Sequence, residues 1–230
     1  MIEVENLSTS LALHNQGSAV VAVLEGAGFR VSPGECVALT GASGAGKSTV
    51  LRIPCGNGLA QAGRVSLGGA DLAQATPRDI LAPRRERPGC VRQFLRVGSR
   101  VPRLEVVAEP LLALGVSDDA AFARARARAR DLLGRQRIPE RLWSPSPTTF
   151  SGGEQQRVNL ARGFAHRCPA LLRDEPTASL DATNRETVLT PIGEAQAAGA
   201  ASVGIFRDAE ARRRVADREV DVRRFAAVAA

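Results

Sequence analysis

From Glu35 to Thr49 the chain reads ECVALTGASGAGKST: a short apolar run, a glycine-rich loop, then one lysine and two hydroxyl residues. Gly41–Ser48 matches the pattern GxxxxGK[ST] in full. The apolar run predicts a buried strand, and the residues after Gly46 open a helix. Strand, glycine loop, helix is the setting a phosphate-binding loop requires, and it commits the chain to an α/β core. Glycines let the backbone wrap closely enough for successive N–H groups to face phosphate oxygens. Gly41, Ala42, Ser43, Gly44, Ala45, Gly46, Lys47, Ser48 and Thr49 are therefore the expected nucleotide contacts. Lys47 supplies a compact charge between the β- and γ-phosphates, and Ser48 offers a hydroxyl to Mg2+.

Composition supports this loop independently. The chain carries 31 basic residues, and only Lys47 is a lysine. Arginine serves wherever else a cation is wanted. A planar guanidinium is too bulky to act as a point charge in a tight phosphate cradle, so the single lysine falls where the chemistry demands one.

Two further segments carry chemistry. LLRDE (Leu171–Glu175) resembles a Walker B segment: an apolar strand ends at Asp174, placed to hold Mg2+, and Glu175 would polarise the attacking water. Two adjacent acids are a weak signal alone, since they also make a solvated turn; PTASLD (Pro176–Asp181) after them strengthens it. FSGGEQQR (Phe150–Arg157) opens a helix with a serine and two glycines. Ser151 with Glu154 has the spacing of an ordinary capping box. Gly152 and Gly153 are costly in a first helical turn, which favours close approach to an anion at the helix N-terminus.

The rest of the chain predicts strands at Ile2–Val4, Ser18–Leu24, Ala170–Leu172 and Ala201–Phe206, with Gly26 and Gly28 as punctuation and Val31–Gly34 as a turn. Residues from about Phe94 to Arg162 read as mostly helical, with breaks at Pro102, Pro110, Gly115 and Pro139. The alanine-rich end, Ala226–Ala230, reads as frayed. The basic run Ala120–Arg130 contains no aromatic beyond Phe122 and reads as a solvated helix rather than a nucleic-acid arm. No apolar run reaches membrane-spanning length, and the N-terminus has no signal-peptide pattern. Cys36, Cys55, Cys90 and Cys168 are scattered without a CxxC pair, so neither zinc nor a disulfide framework is expected, and a reducing cytoplasm is the natural setting.

Taken together, these motifs resemble the ATP-binding cassette ATPases, in order and spacing over essentially the whole chain. Gln93 stands where that family has its Q-loop glutamine. QFLRV (Gln93–Val97), PERLW (Pro139–Trp143), TFSGGEQQRVNLARGF (Thr149–Phe164) and DEPTASLDA (Asp174–Ala182) resemble one branch, the ATP-binding L subunit of the phosphonate carbon–phosphorus lyase system. Transport cassettes, including lipoprotein-releasing ones, share most of these motifs and form the alternative.

The resemblance implies a single cassette domain over residues 1–230. Its P-loop NTPase α/β core would span about 1–93 and 165–230, with a helical subdomain inserted at about 94–164. It implies ATP and Mg2+ as cofactors, with Ser48, Gln93 and Asp174 at the metal and Glu175, Gln93 and Arg207 in catalysis. It implies a second cassette subunit, homodimeric or heterodimeric, in which Ser151 and Gly153 of one subunit face the γ-phosphate held by Lys47 of the other. The attached partner is then a lyase core or, alternatively, a membrane permease; nucleic acid is not expected.

Several positions depart from the family pattern. Arg207 stands where the family usually has histidine, and arginine cannot exchange a proton near neutral pH. Arg173 sits in the strand before Asp174, costly if buried and harmless if it reaches an edge. Leu11 stands where many cassettes stack an aromatic on adenine, with His14 nearby. Pro54 and Pro191 fall in predicted helices, where proline costs about 3 kcal/mol. These departures leave open a module that binds ATP with impaired hydrolysis.

Overall fold

The computed structural model describes residues 1–13, 19–55, 60–67, 70–71, 89–91, 101–113, 118–144, 151–177, 180 and 182–227. Two sheets are present among them. An antiparallel sheet has the order β2-β1-β4-β5, built from β1 (Ile2–Leu13), β2 (Ala19–Val31), β4 (Ala62–Leu67) and β5 (Ala70–Asp71). A parallel sheet has the order β6-β7-β8-β3-β9, from β6 (Gly89–Val91), β7 (Ala170–Asp174), β8 (Ala201–Ile205), β3 (Cys36–Thr40) and β9 (Arg218–Asp221). The helices are α1 (Lys47–Arg52), α2 (Arg103–Leu112), α3 (Asp119–Arg135), α4 (Gly152–Gly163), α5 (Ala182–Ala197) and α6 (Ala209–Val215). This is the expected α/β core, with α2, α3 and α4 between β6 and β7 in the chain.

The parallel sheet is covered on both faces, which is why its strands read as unbroken apolar runs. Successive residues of β3 divide between the faces. Cys36 and Ala38 join the cluster formed with the helices, among Val106, Leu133, Val158, Leu171 and Ile192. Val37 and Leu39 join the cluster between the sheets, with Ile2, Leu24, Val31, Leu172 and Ile205. Helix α1 is wedged into that second layer through Val50 and Leu51, so the phosphate loop is anchored from both sheets.

The first hairpin is far longer than the sequence predicts. β1 and β2 pair from Ile2↔Val31 to Leu13↔Ala19 with register shifts near Leu7 and Thr9. Gly26 and Gly28 do not end β2: Gly26 takes φ 61° and donates its N–H to Ser8 Oγ at 3.1 Å, an irregularity the ladder absorbs. The turn at Val31–Gly34 forms as expected, closed by Glu35 N donating to Ser32 O at 3.0 Å. Ala226 forms an antiparallel bridge to Leu24, so the chain is held in place up to that residue rather than frayed from it.

Both awkward prolines have local explanations. Helix α1 ends at Arg52 with Ile53 as its cap, so Pro54 follows the helix instead of interrupting it. Ile53 packs with Val4, Leu7 and Val65. Pro191 does lie inside α5. Lacking an N–H, it leaves the carbonyl of Thr187, four residues earlier, without its helical donor. Gln136, buried just past α3, donates Nε2 to that carbonyl at 2.7 Å. Pro110 likewise lies inside α2 rather than breaking it.

The basic run forms α3 as a surface helix. Ala121, Ala125 and Ala129, spaced by four, are buried while arginines face outward. Arg126 pairs with Glu105 and Arg128 with Asp131. Among the described residues, no helix is long and apolar enough to cross a membrane.

The cysteine expectation is overturned in one respect. Cys55, just past α1, and Cys90, in β6, form a disulfide with a Cα–Cα distance of 6.3 Å. They are 35 residues apart in sequence, and only the packing of α1 against the sheet brings them together. Cys36 and Cys168 are free thiols.

Candidate nucleotide site

The glycine loop leaves β3 at Thr40 and enters α1 at Lys47. Gly41, Gly44 and Gly46 take φ of 134°, 82° and 89°, a region L side chains rarely adopt. At Gly46 space is tight as well: a Cβ would lie 2.9 Å from Leu24 Cδ2 and 3.0 Å from Val23 Cγ1, so those side chains would have to shift to admit it. Strand β2 thus presses against the loop where the helix begins. Lys47 folds back over the loop, donating Nζ to Gly41 O at 2.8 Å and to Ala42 O at 2.7 Å. The ammonium is thereby held against the loop's own carbonyls.

Asp174 ends β7 beside this loop and accepts a hydrogen bond from Ser48. Burial holds its carboxyl above the usual range; the charge of Glu175 adds to this, while Ser48, Arg52 and Lys47 oppose it. A hydroxyl and a carboxylate side by side, next to a phosphate loop, are hard oxygen donors of the kind Mg2+ takes. A cation there would relieve the crowding of negative charge at Asp174 and Glu175.

Glu175 turns sharply out of β7. Its φ is +51°, which costs a non-glycine residue about 1–2 kcal/mol. Its N–H donates to Ile205 O at 3.0 Å, an extra bond beyond the β7–β8 ladder. Its side chain is 13% exposed and accepts from Arg207 Nε at 2.7 Å. Its carbonyl, and that of Pro176, receive Nε2 of Gln156 at 3.4 and 3.2 Å.

The neighbouring Arg173 resolves in favour of burial. It is 0% exposed. Its Nη2 lies 3.2 Å from Cys36 Sγ, and its guanidinium carbon lies 5.7 Å from the centre of the Phe206 ring. Nε and Nη1 have no hydrogen-bond partner among the described residues. Burial pushes the guanidinium pKa down, and burial likewise pushes the Cys36 thiol up despite the arginine beside it.

Ser151 caps α4 in a complete capping box: Glu154 N donates to Ser151 Oγ at 3.3 Å, and Ser151 N donates to Glu154 Oε2 at 3.2 Å. The local role read from spacing is therefore realised within the chain. A Cβ at Gly152 would meet nothing within 4 Å, so packing inside this chain does not require glycine there. Gly153 follows in the same first turn. Gln93, His14, Ser179 and Asp181 lie outside the described residues. The backbone of Leu11 pairs with Val21 in the first hairpin.

The structure therefore brings Lys47, Ser48, Asp174, Glu175 and Arg207 to one end of the parallel sheet. Sequence reasoning passed over Gln156, although it lies within the quoted SGGEQQR segment: a second glutamine there carries no pattern of its own. It also passed over the Cys55–Cys90 pair, for which spacing offers no signal.

Residues 24–178 match the family model described as ABC transporter. The lipoprotein-releasing system ATP-binding protein LolD of Jannaschia sp. is 42% identical over 182 residues, covering 79% of this chain and 78% of that protein. LolD 1 of Rhodospirillum rubrum is 40% identical over 177 residues, covering 76% and 75%. An uncharacterized ABC transporter ATP-binding protein of Mycobacterium tuberculosis, Rv0986, is 36% identical over 189 residues, covering 82% and 73%. Among solved structures, the ATP-binding cassette MJ0796, a dimer in a post-hydrolysis state bound to ADP and Pi, superposes with a TM-score of 0.86 at 26% identity, covering 97% and 95% of the two chains. These relatives do not carry the expected phosphonate lyase branch; they carry the transporter alternative. The motif series, the parallel sheet ending at the phosphate loop and these similarities agree: the chain belongs to the ABC transporter family and has the ATPase cassette fold.

Proposed function

We propose that this chain is the ATP-hydrolysing subunit of a transporter of the lipoprotein-releasing kind, working as a dimer of cassettes against a membrane permease. The observation that carries the ATPase reading is the Ser48–Asp174 contact, with Glu175 next in the chain and Lys47 drawn over the loop. Similarity to LolD proteins across most of the chain supports the transporter. The proposed unit is one cassette domain over residues 1–230, with residues 94–164 as its helical subdomain.

In this reading the loop from Gly41 to Thr49 binds the phosphates of ATP, and Lys47 gives up its loop carbonyls for phosphate oxygens. Ser48 and Asp174 hold Mg2+, with Gln93 as the further ligand that the family pattern implies. The ion supplies charge neutralisation on the transferring phosphoryl group. Glu175 orients and polarises the attacking water. Ser151 and Gly153 present the N-terminus of α4 to nucleotide held by the second subunit.

Arg207 favours a second reading, slowed hydrolysis. It ties up one oxygen of Glu175 and cannot take the water's proton. The pair is open to solvent on the arginine side, with Arg207 75% exposed, and such pairs stabilise weakly. Nucleotide arrival can therefore separate it, and hydrolysis is retained.

The test is Mg2+-dependent ATP turnover with Lys47→Ala as blank, nucleotide binding in parallel, and co-purification with membrane permease subunits. Turnover above the blank with permease capture is expected. Binding without turnover would support the slowed reading; capture by lyase core subunits instead would reject the transporter.

A further inference from the structure

Gln156 connects the helix opened by Ser151 to the backbone of Glu175. It lies in α4, and it is 4% exposed. Its Nε2 reaches two successive carbonyls, those of Glu175 and Pro176, at 3.4 and 3.2 Å. Asn159, one turn further on and equally buried, donates Nδ2 to Gln156 Oε1 at 3.5 Å. That contact orients the amide so that its two donors face the carbonyls. A side chain that serves two successive carbonyls from one helix position needs an NH2 group and a reach of several bonds, which glutamine has and leucine or glutamate lacks.

Glu175 needs such support. Its left-handed φ persists only where the surroundings over-determine it. One hold comes from the sheet, Glu175 N to Ile205 O. A second comes from α4, through Gln156. The left-handed turn sets the direction in which the Glu175 carboxylate leaves the strand.

Resting on the reading of Glu175 as the residue that polarises water, we propose that Gln156 is a positioning residue for hydrolysis: it fixes the strained backbone of Glu175 and ties it to α4. The seating of α4, whose N-terminus faces the second nucleotide in the proposed dimer, then bears directly on where the carboxylate points.

The experiment is a double-mutant cycle read by single-turnover ATP hydrolysis. Gln156→Leu keeps the volume and removes both donors. Its rate falls about tenfold or more, with ATP affinity within twofold of the parent. In a Glu175→Gln background, adding Gln156→Leu changes the residual rate less than twofold, because the group it positions is already gone. Asn159→Ala, which releases the amide without deleting it, gives a smaller fall in the parent and none in Glu175→Gln, and stands in if Gln156→Leu unfolds. An equal loss in both backgrounds, or an unchanged rate in the parent, overturns the proposal while leaving the ATPase reading intact. Absence of turnover in the unsubstituted protein overturns both.

Discussion

Arg207, two residues beyond β8, donates Nε to Glu175 Oε1 at 2.7 Å and so engages the acid that follows Asp174. The two residues are 32 apart in sequence, and β7 and β8 lie side by side in the parallel sheet. The arginine is solvent-exposed while the carboxylate is largely covered, so the pair can be broken from the arginine side without disturbing the core. Arg207→His removes the clamp and restores a group that exchanges protons near neutral pH. ATP turnover should rise about two- to fivefold, with nucleotide affinity little changed. An unchanged rate would show that the clamp does not limit hydrolysis.

Arg173 is a buried charge whose Nε and Nη1 find no hydrogen-bond partner among the described residues, a state that well-packed apolar residues improve upon by about 1–4 kcal/mol. Arg173→Met should therefore raise the denaturation midpoint, measured in urea with the slope held equal. Lower stability would mean that Cys36 and Phe206 compensate the guanidinium more fully than their contacts indicate.

The thiols should count in a definite pattern. Denatured without reductant, the protein should show two of its four cysteines; with reductant, four. In the native state both free thiols should label slowly. Burial pushes the Cys168 thiol up to about 11 and raises that of Cys36, so little thiolate exists at pH 8, and labelling should quicken only as pH climbs above the ordinary thiol range. Because the disulfide closes a 35-residue loop, its reduction should lower stability by up to about 3–4 kcal/mol by chain entropy. Four thiols without reductant would show that the pair is not formed.

Gln136 and Pro191 should be coupled. Gln136→Leu strips the half-buried Thr187 carbonyl of that donor, at a cost of about 1–3 kcal/mol. In Pro191→Ala the helix itself supplies an N–H to that carbonyl, so the same substitution should cost about 1 kcal/mol less. Equal costs in both backgrounds would show that the glutamine does not serve the proline's gap.

Sequence alone determined the parts whose chemistry is contiguous. The phosphate loop must pass from strand to helix through glycines around one lysine, and all its residues fall within Gly41–Thr49. The acid pair at Asp174–Glu175 and the serine cap at Ser151 are likewise local, since a strand end or helix start is set by a few neighbouring residues. Pro54 was legible as a conflict, and the chain resolves it within one turn by ending α1 at Arg52. Tertiary structure decided everything that depends on which distant residues meet. Whether Arg173 would be buried, which residue would serve the carbonyl freed by Pro191, that Cys55 would meet Cys90, and that Arg207 and Gln156 would both hold Glu175 follow from the order β6-β7-β8-β3-β9 and the packing of α3, α4 and α5 on it. The physical reason is that hydrogen-bond and turn preferences act over a few residues, whereas burial acts on the whole chain at once and sets partners without regard to their separation along it.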